Sequence, residues 1–327
     1  DYGLGYVGVA PSEVGEKAIR SATVTGFKWL ETTPVELAQC VTQLQRLYVG
    51  ALLDWATVRV ALGNPNSAAQ SHNVSYCVPL AFDDGASRRF DEAVKAACGD
   101  LSNATGSAWK HMRSKLDEGR AAAQVDQNQS EMTVIADMGG GTTDIAVLFH
   151  PAARGTRKDL LYNTSIRYAG ETLIGAYQSV LLRGDTLALR RAIREASDIR
   201  VLFNRADLFS AAQSDTRDVR TREFYGYVLE LAARMIAAAL IEGQAVVDGR
   251  FPSPMRVRVL PLGNGWAMAG TFGKDSLDVI ALAVESRVRA LLDATPEAQQ
   301  VRDANGVTAS KVQVVVSAMT PSNLPHV

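Results

Sequence analysis

Three cysteines in 327 residues are too few and too unpatterned to build on. Cys40, Cys77 and Cys98 form no C-x-x-C, which excludes a disulfide framework and a structural zinc site of ordinary spacing. Few cysteines make a reducing cytoplasm the default expectation. The four histidines, His72, His111, His150 and His326, are dispersed and suggest neither a metal cluster nor a triad. Neither sign of charge dominates. With 34 Lys and Arg against 35 Asp and Glu, the formal net charge is -1. There is no basic field for nucleic acid and no like-charge tail. No uninterrupted apolar run reads as long enough to span a bilayer, which needs roughly 20 residues. The best, residues 232–240, is short and broken by Arg234. The P-loop pattern G-x-x-x-x-G-K-[ST] is absent too.

Length supplies the first positive expectation. A chain of 327 residues exceeds an average domain, so two domains or lobes are expected. A long amphipathic helix is predicted over 34–55, with Thr33 as cap, Pro34 in the first turn, and Leu37, Val41, Leu44, Leu47 and Leu52 mostly at helical spacing. Strands are predicted at 58–62, 74–82, 159–167, 255–262 and 311–319, and a strand–turn–strand at 131–149. Helices are predicted at 87–98, ended by Gly99, at 171–243 with a break near 210–217, and at 275–292. Strands and helices interleave, which argues an α/β chain with a mixed sheet.

The most informative stretch is "DMGGGTTD", Asp137 to Asp144, flanked by apolar β-branched runs. Three glycines permit positive φ and leave no Cβ between chain and ligand. Their amides can converge on an anion, and Thr142 and Thr143 add hydroxyl donors. Two carboxylates would repel phosphate unless Mg²⁺ bridges them, usually through water. "GLGYVG", Gly3 to Gly8, imitates a dinucleotide turn. It lacks the strand before it and the helix after it that such a turn needs.

"DMGGGTTD" resembles the second phosphate motif of the superfamily that holds actin, the heat-shock chaperone ATPases and the sugar kinases. Other stretches resemble that superfamily's motifs in order. Residues 78–99 are similar to a chaperone strand–turn–helix, and "LDEGRAAA" (116–123) to the connecting helix. "RYAGETLIGAY" is similar to a glycine–acid turn, and "VLPLGNGWAMAG" (259–270) to the adenosine motif. The resemblance covers about 14–319 and is nearest to the chaperone nucleotide-binding domain. It implies a two-lobed actin-like ATPase (ribonuclease H-like) α/β fold. Residues 1–130 would be the remainder of the first lobe and 131–320 the second, with a helical cap subdomain at about 171–250. The first phosphate hairpin is not found, Gly119 replaces a proline, and both ends look truncated.

The resemblance further implies ATP/ADP and Mg²⁺ as cofactors. Asp137 would hold water around the metal. Gly139, Gly140, Gly141, Thr142 and Thr143 would cradle phosphates, and Glu118 would orient the attacking water from across the cleft. Gly170 and Glu171 would line the site. Gly263, Asn264 and Gly265 would pass near adenosine, and Trp266 either stacks on adenine or sits in the core. A basic residue beside the base would be Arg194 or Arg200, and Lys17 and Arg20 lie near the place of a γ-phosphate lysine. Asp144 is either part of the site or a polar turn residue. The implied function is Mg-ATP binding with slow hydrolysis that switches lobe orientation. A protein client or partner would act through lobe motion, with neither nucleic acid nor a membrane span involved. An actin-like filament subunit and a non-hydrolysing, ATP-shaped scaffold remain as alternatives.

Overall fold

The computed structural model describes residues 35–63, 71–114, 117–123, 132–149, 159–195, 202, 204–246, 255–263, 265–266, 276–294, 296 and 312–316. Lys17, Arg20 and the N-terminal glycine-rich stretch lie outside them. The chain divides into two compact units, Asp1–Asp117 with Leu324–Val327, and Glu118–Asn323.

The first unit holds α1 (Val35–Gly63), β1 (Ser71–Tyr76), α2 (Asp84–Thr105) and β2 (Ala108–Arg113). The strand predicted at 58–62 is instead the last turns of α1. Val58 and Val60 alternate with Arg59 and Ala61, which imitates a strand. No turn residue interrupts the chain before Gly63, however, and Thr57 Oγ1 donates back to Leu53 O at 2.9 Å within the helix. Helix α2 opens on Asp83, whose Oδ1 accepts the Ala86 N–H at 2.6 Å. It ends at Gly106, in the left-handed region at φ 69, and runs through Gly99, which was expected to stop it. Strands β1 and β2 are parallel, with α2 as the crossover. Val49, Val78, Phe90, Val94, Ala97, Cys98 and Trp109 form this unit's core. Strand β2 was not predicted, because "AWKHMR" exposes all but Trp109 and shows no alternation.

The second unit contains α3 (Glu118–Ala123), β3 (Met132–Met138), β4 (Thr143–Phe149), β5 (Asp159–Ile166), α4 (Gly170–Tyr177) and α5 (Thr186–Glu195). Then come α6 (Ser214–Val246), β6 (Met255–Leu262), α7 (Ser276–Ala294) and β7 (Val312–Val316). Its sheet has the order β5-β4-β3-β6-β7. Strands β3, β4 and β5 form an antiparallel meander, and β6 and β7 extend it in parallel. Pro261 falls beyond the β6 residues that β7 covers, Met255–Val259, where a missing N–H is tolerated.

Alternation sorts the sheet's two faces. Met132, Val134, Ala136, Met138, Ile145, Val147 and Phe149 join Leu173, Leu189, Tyr225, Val228, Ile236 and Val288 of the helices in one core. Ile135, Ala146, Leu148, Leu260 and Leu262 form a smaller cluster on the other face. Helices α4, α5 and α6 belong to the same compact unit as the sheet, the second lobe in which a cap subdomain was expected. Residues 211–241 include a window apolar enough by composition to cross a membrane, at mean hydropathy 1.5, which a search for unbroken runs passes over. More than half of that window is buried against the protein, as in a core helix.

Candidate functional site

The β3–β4 hairpin pairs Asp137 with Asp144 and Met138 with Thr143, leaving Gly139–Gly140–Gly141–Thr142 as the turn. The Gly139 N–H closes it on Thr142 O at 2.9 Å. The start of α4 then takes hold of the turn. The Gly170 N–H donates to Gly139 O at 3.1 Å and the Glu171 N–H to Gly140 O at 2.7 Å. Amides in a helix's first turn have no partner inside the helix, so turn and helix satisfy each other. A Cβ at Gly170 would lie 3.2 Å from Gly139 O, so glycine permits the approach.

Asp137 and Asp144 share the sheet face opposite the helical core, the one that carries Ile135 and Ala146. Asp144 is buried, so it is a strand residue and not part of the turn. Glu118 opens α3, which packs on β3, β4 and β5 within the same unit. Burial pushes the Asp144 carboxyl up to about 7, with the charges of Glu118 and Asp137 adding to the rise and the hydroxyls of Ser165 and Thr142 opposing it. Ser165 is Asp144's partner on β5, yet its buried Oγ closes no hydrogen bond of ordinary geometry. Two residues along, Asn163 Oδ1 is also buried without a partner.

A second glycine turn meets the first. Past the end of β6, Gly263 adopts φ 83, and a Cβ there would lie 2.6 Å from Asp137 Oδ1. A Cβ on Gly265 would lie 2.7 Å from Met138 O. These glycines therefore admit the end of β3. Among the described residues, positive φ falls at Gly106, Gly184 and Gly263, with Arg183 as the non-glycine case. In the site, the left-handed backbone is thus in the second glycine turn. Trp266 packs against the core, its Nε1–H donating to Ala136 O at 2.8 Å. Its ring stacks on Tyr225 at 5.3 Å and 17°, and the Tyr225 hydroxyl donates to Gly265 O at 2.6 Å.

Hence Asp137, Glu118, Thr142 and Asp144 come together. Gly139, Gly140, Gly170 and Glu171 meet through the backbone, and Gly263 and Gly265 abut the end of β3. Thr143 faces the other way, fully buried, its hydroxyl donating to Tyr168 O at 2.6 Å. The Glu171 carboxylate is engaged by Arg190 in a two-point ion pair. Arg200 and Asn264 lie outside the described residues. Tyr168 falls within the quoted "RYAGETLIGAY" stretch without being singled out, and no local signal marks Arg190 or Tyr225, because each makes its contact to a segment remote in sequence.

Among the described residues, no three His, Cys, Asp or Glu side chains are grouped to hold a metal directly. A hydrated cation suits the donor set better. The charges of Glu118 and Asp137 favour the protonated form of Asp144, and the Ser165 and Asn163 oxygens stand buried on the same face. Mg²⁺ keeps several waters and binds through few carboxylates.

No protein-family model matches the chain, and no curated protein matches it. Solved structures give loose likenesses. The PilM–PilN type IV pilus biogenesis complex aligns at 14% identity over 74% of this chain and 52% of that one, with a TM-score of 0.33. The ethanolamine utilization protein EutJ from Carboxydothermus hydrogenoformans aligns at 14% over 83% and 69%, with a TM-score of 0.34. An archaeal actin homologue aligns at 17% over 76% and 74%, with a TM-score of 0.32. The chain spans about half the length of the first of these. Superpositions this loose say nothing of what the chain binds.

Proposed function

We propose that the second unit carries a phosphate-and-Mg²⁺ site and that the chain is an ATP-binding protein of the actin-like superfamily. One observation carries this reading: Glu118, Asp137 and Asp144 converge beside a glycine turn whose carbonyls are held by α4. Three carboxylates in a partly buried site call for a cation. A turn whose carbonyls are already engaged has its amides left to offer an anion. A magnesium–phosphate pair answers both demands, and neither phosphate nor a metal alone does. The sheet order, an antiparallel meander continued by two parallel strands, also suits a ribonuclease H-like lobe.

In this reading Asp137 would hold hydrated Mg²⁺, Glu118 would orient the attacking water, and Gly140, Gly141 and Thr142 would receive phosphate oxygens. Bound Mg²⁺ supplies the charge neutralisation that phosphoryl transfer requires. The residues contribute position: the hairpin fixes Asp137 opposite Asp144, α3 brings Glu118 to them, and α4 holds the turn. The finer reading is a slow, chaperone-like ATPase in which loss of the γ-phosphate changes lobe orientation. An ATP-binding protein without hydrolysis is the second reading. It is favoured by the Glu171 carboxylate and the Thr143 hydroxyl being bonded away from the turn.

Thermal unfolding with and without Mg-ATP, beside Asp137→Ala, tests the proposal. Ligand at a hundred times its Kd adds about 2.7 kcal/mol, a rise of about 5–10 °C for a unit of this size. The variant should lose most of that rise. No rise in the parent protein overturns nucleotide binding, and a rise without phosphate release selects the second reading.

A further inference from the structure

We infer that Tyr225 and Trp266 are positioning residues for the metal end of the hairpin, a deepening that rests on the proposed phosphate-and-Mg²⁺ site. The turn past β6 closes directly on the end of β3, since a Cβ on Gly263 would overlap Met138 O and lie 2.6 Å from Asp137 Oδ1. Beyond Leu262 that turn has left the sheet ladder. Two side-chain hydrogen bonds secure it: Tyr225 OH to Gly265 O at 2.6 Å, and Trp266 Nε1–H to Ala136 O at 2.8 Å. Ala136 directly precedes Asp137, so the indole ties the second glycine turn to the strand that bears the acid.

The two rings stack, which makes them one brace running from α6 to β3. The neighbouring residue of α6 reaches the other strand. Phe224 stacks on Tyr168 at 4.8 Å and 20°, and Tyr168 O accepts the Thr143 hydroxyl at 2.6 Å. Consecutive residues of one helix thus grip both strands of the hairpin. Partners that orient a ligand's ligands commonly set metal affinity without touching the metal.

Tyr225→Phe and Trp266→Phe keep an aromatic ring and remove one hydrogen bond each. Two readouts apply: hydrogen exchange over 132–149 in the ligand-free protein, and the Mg²⁺ concentration at which ATP raises the unfolding temperature. Exchange near 137–142 should quicken about tenfold while α2 stays at the parent rate. The Mg²⁺ midpoint should rise about tenfold in Tyr225→Phe. Parent-like turn exchange and a parent-like Mg²⁺ midpoint, with only a lower ligand-free stability, would overturn the inference and leave the pair as packing. The exchange measurement needs no nucleotide. A parent protein indifferent to Mg-ATP therefore counts against the proposed function, while the exchange result still decides the brace.

Discussion

Asp144 is the residue whose meaning changes most between sequence and structure. In the string "GGGTTD" it is a polar residue after a turn. In the fold it is a buried strand residue facing Asp137, and burial with two neighbouring acids lifts its carboxyl to about 7. The consequence for stability has a definite sign. The folded value lies above the unfolded one, about 3.9, so the contribution is full below pH ~4 and is lost as pH rises through ~7. The ligand-free protein should therefore unfold more easily at pH 8 than at pH 5 by an amount on the order of a few kcal/mol. Asp144→Asn should flatten that dependence in denaturant melts across the range. Saturating Mg²⁺ with nucleotide should flatten it in the parent, because a cation replaces the proton.

Among the elements, α6 does the most to organise the second unit. Its Phe224, Tyr225, Val228, Ile236 and Leu240 recur at helical spacing into the core. Its outer side is tied to α7: Glu230 of α6 accepts from Arg287 of α7 at 2.6 and 2.9 Å, and from Arg234 of α6 at 2.7 Å. Chiefly Arg287, and then Arg234, hold the Glu230 carboxyl down at about 2. A depressed carboxylate stabilises above its unfolded value, near 4.3, and that help fades only as pH falls toward ~2. The group is partly exposed, so Glu230→Gln should cost about 0.5–1 kcal/mol at neutral pH. Urea melts at pH 7 should register it, and 1 M salt should shrink it.

At the scale of the molecule, the open choice is between a nucleotide switch and a filament subunit. Leu47, Val58 and Leu62 are exposed apolar residues on α1. The proposed switch requires no contact between copies. Light scattering is expected to stay at the monomer level on adding Mg-ATP, and growth with nucleotide would favour the filament.

Some of this was legible in the string alone. The β3–β4 hairpin follows from two apolar β-branched runs around a glycine turn, β6 from alternation and α7 from helical spacing, which are local properties of side chains on a regular backbone. The glycine turn between two acids is legible for the same reason, because eight consecutive residues carry the chemistry. Tertiary packing decided the rest. It extended α1 through Val58–Leu62, carried α2 past Gly99 to Gly106, and made a strand of "AWKHMR". It seated the Thr143 hydroxyl on Tyr168 O, engaged Glu171 with Arg190, and set Trp266 against Tyr225. It also brought Glu118 to the two aspartates. The physical reason is range. Periodicity and turn chemistry act within a few residues, whereas burial, the pKa of Asp144 and the brace from α6 depend on segments that meet only when the sheet and its helices close on one another.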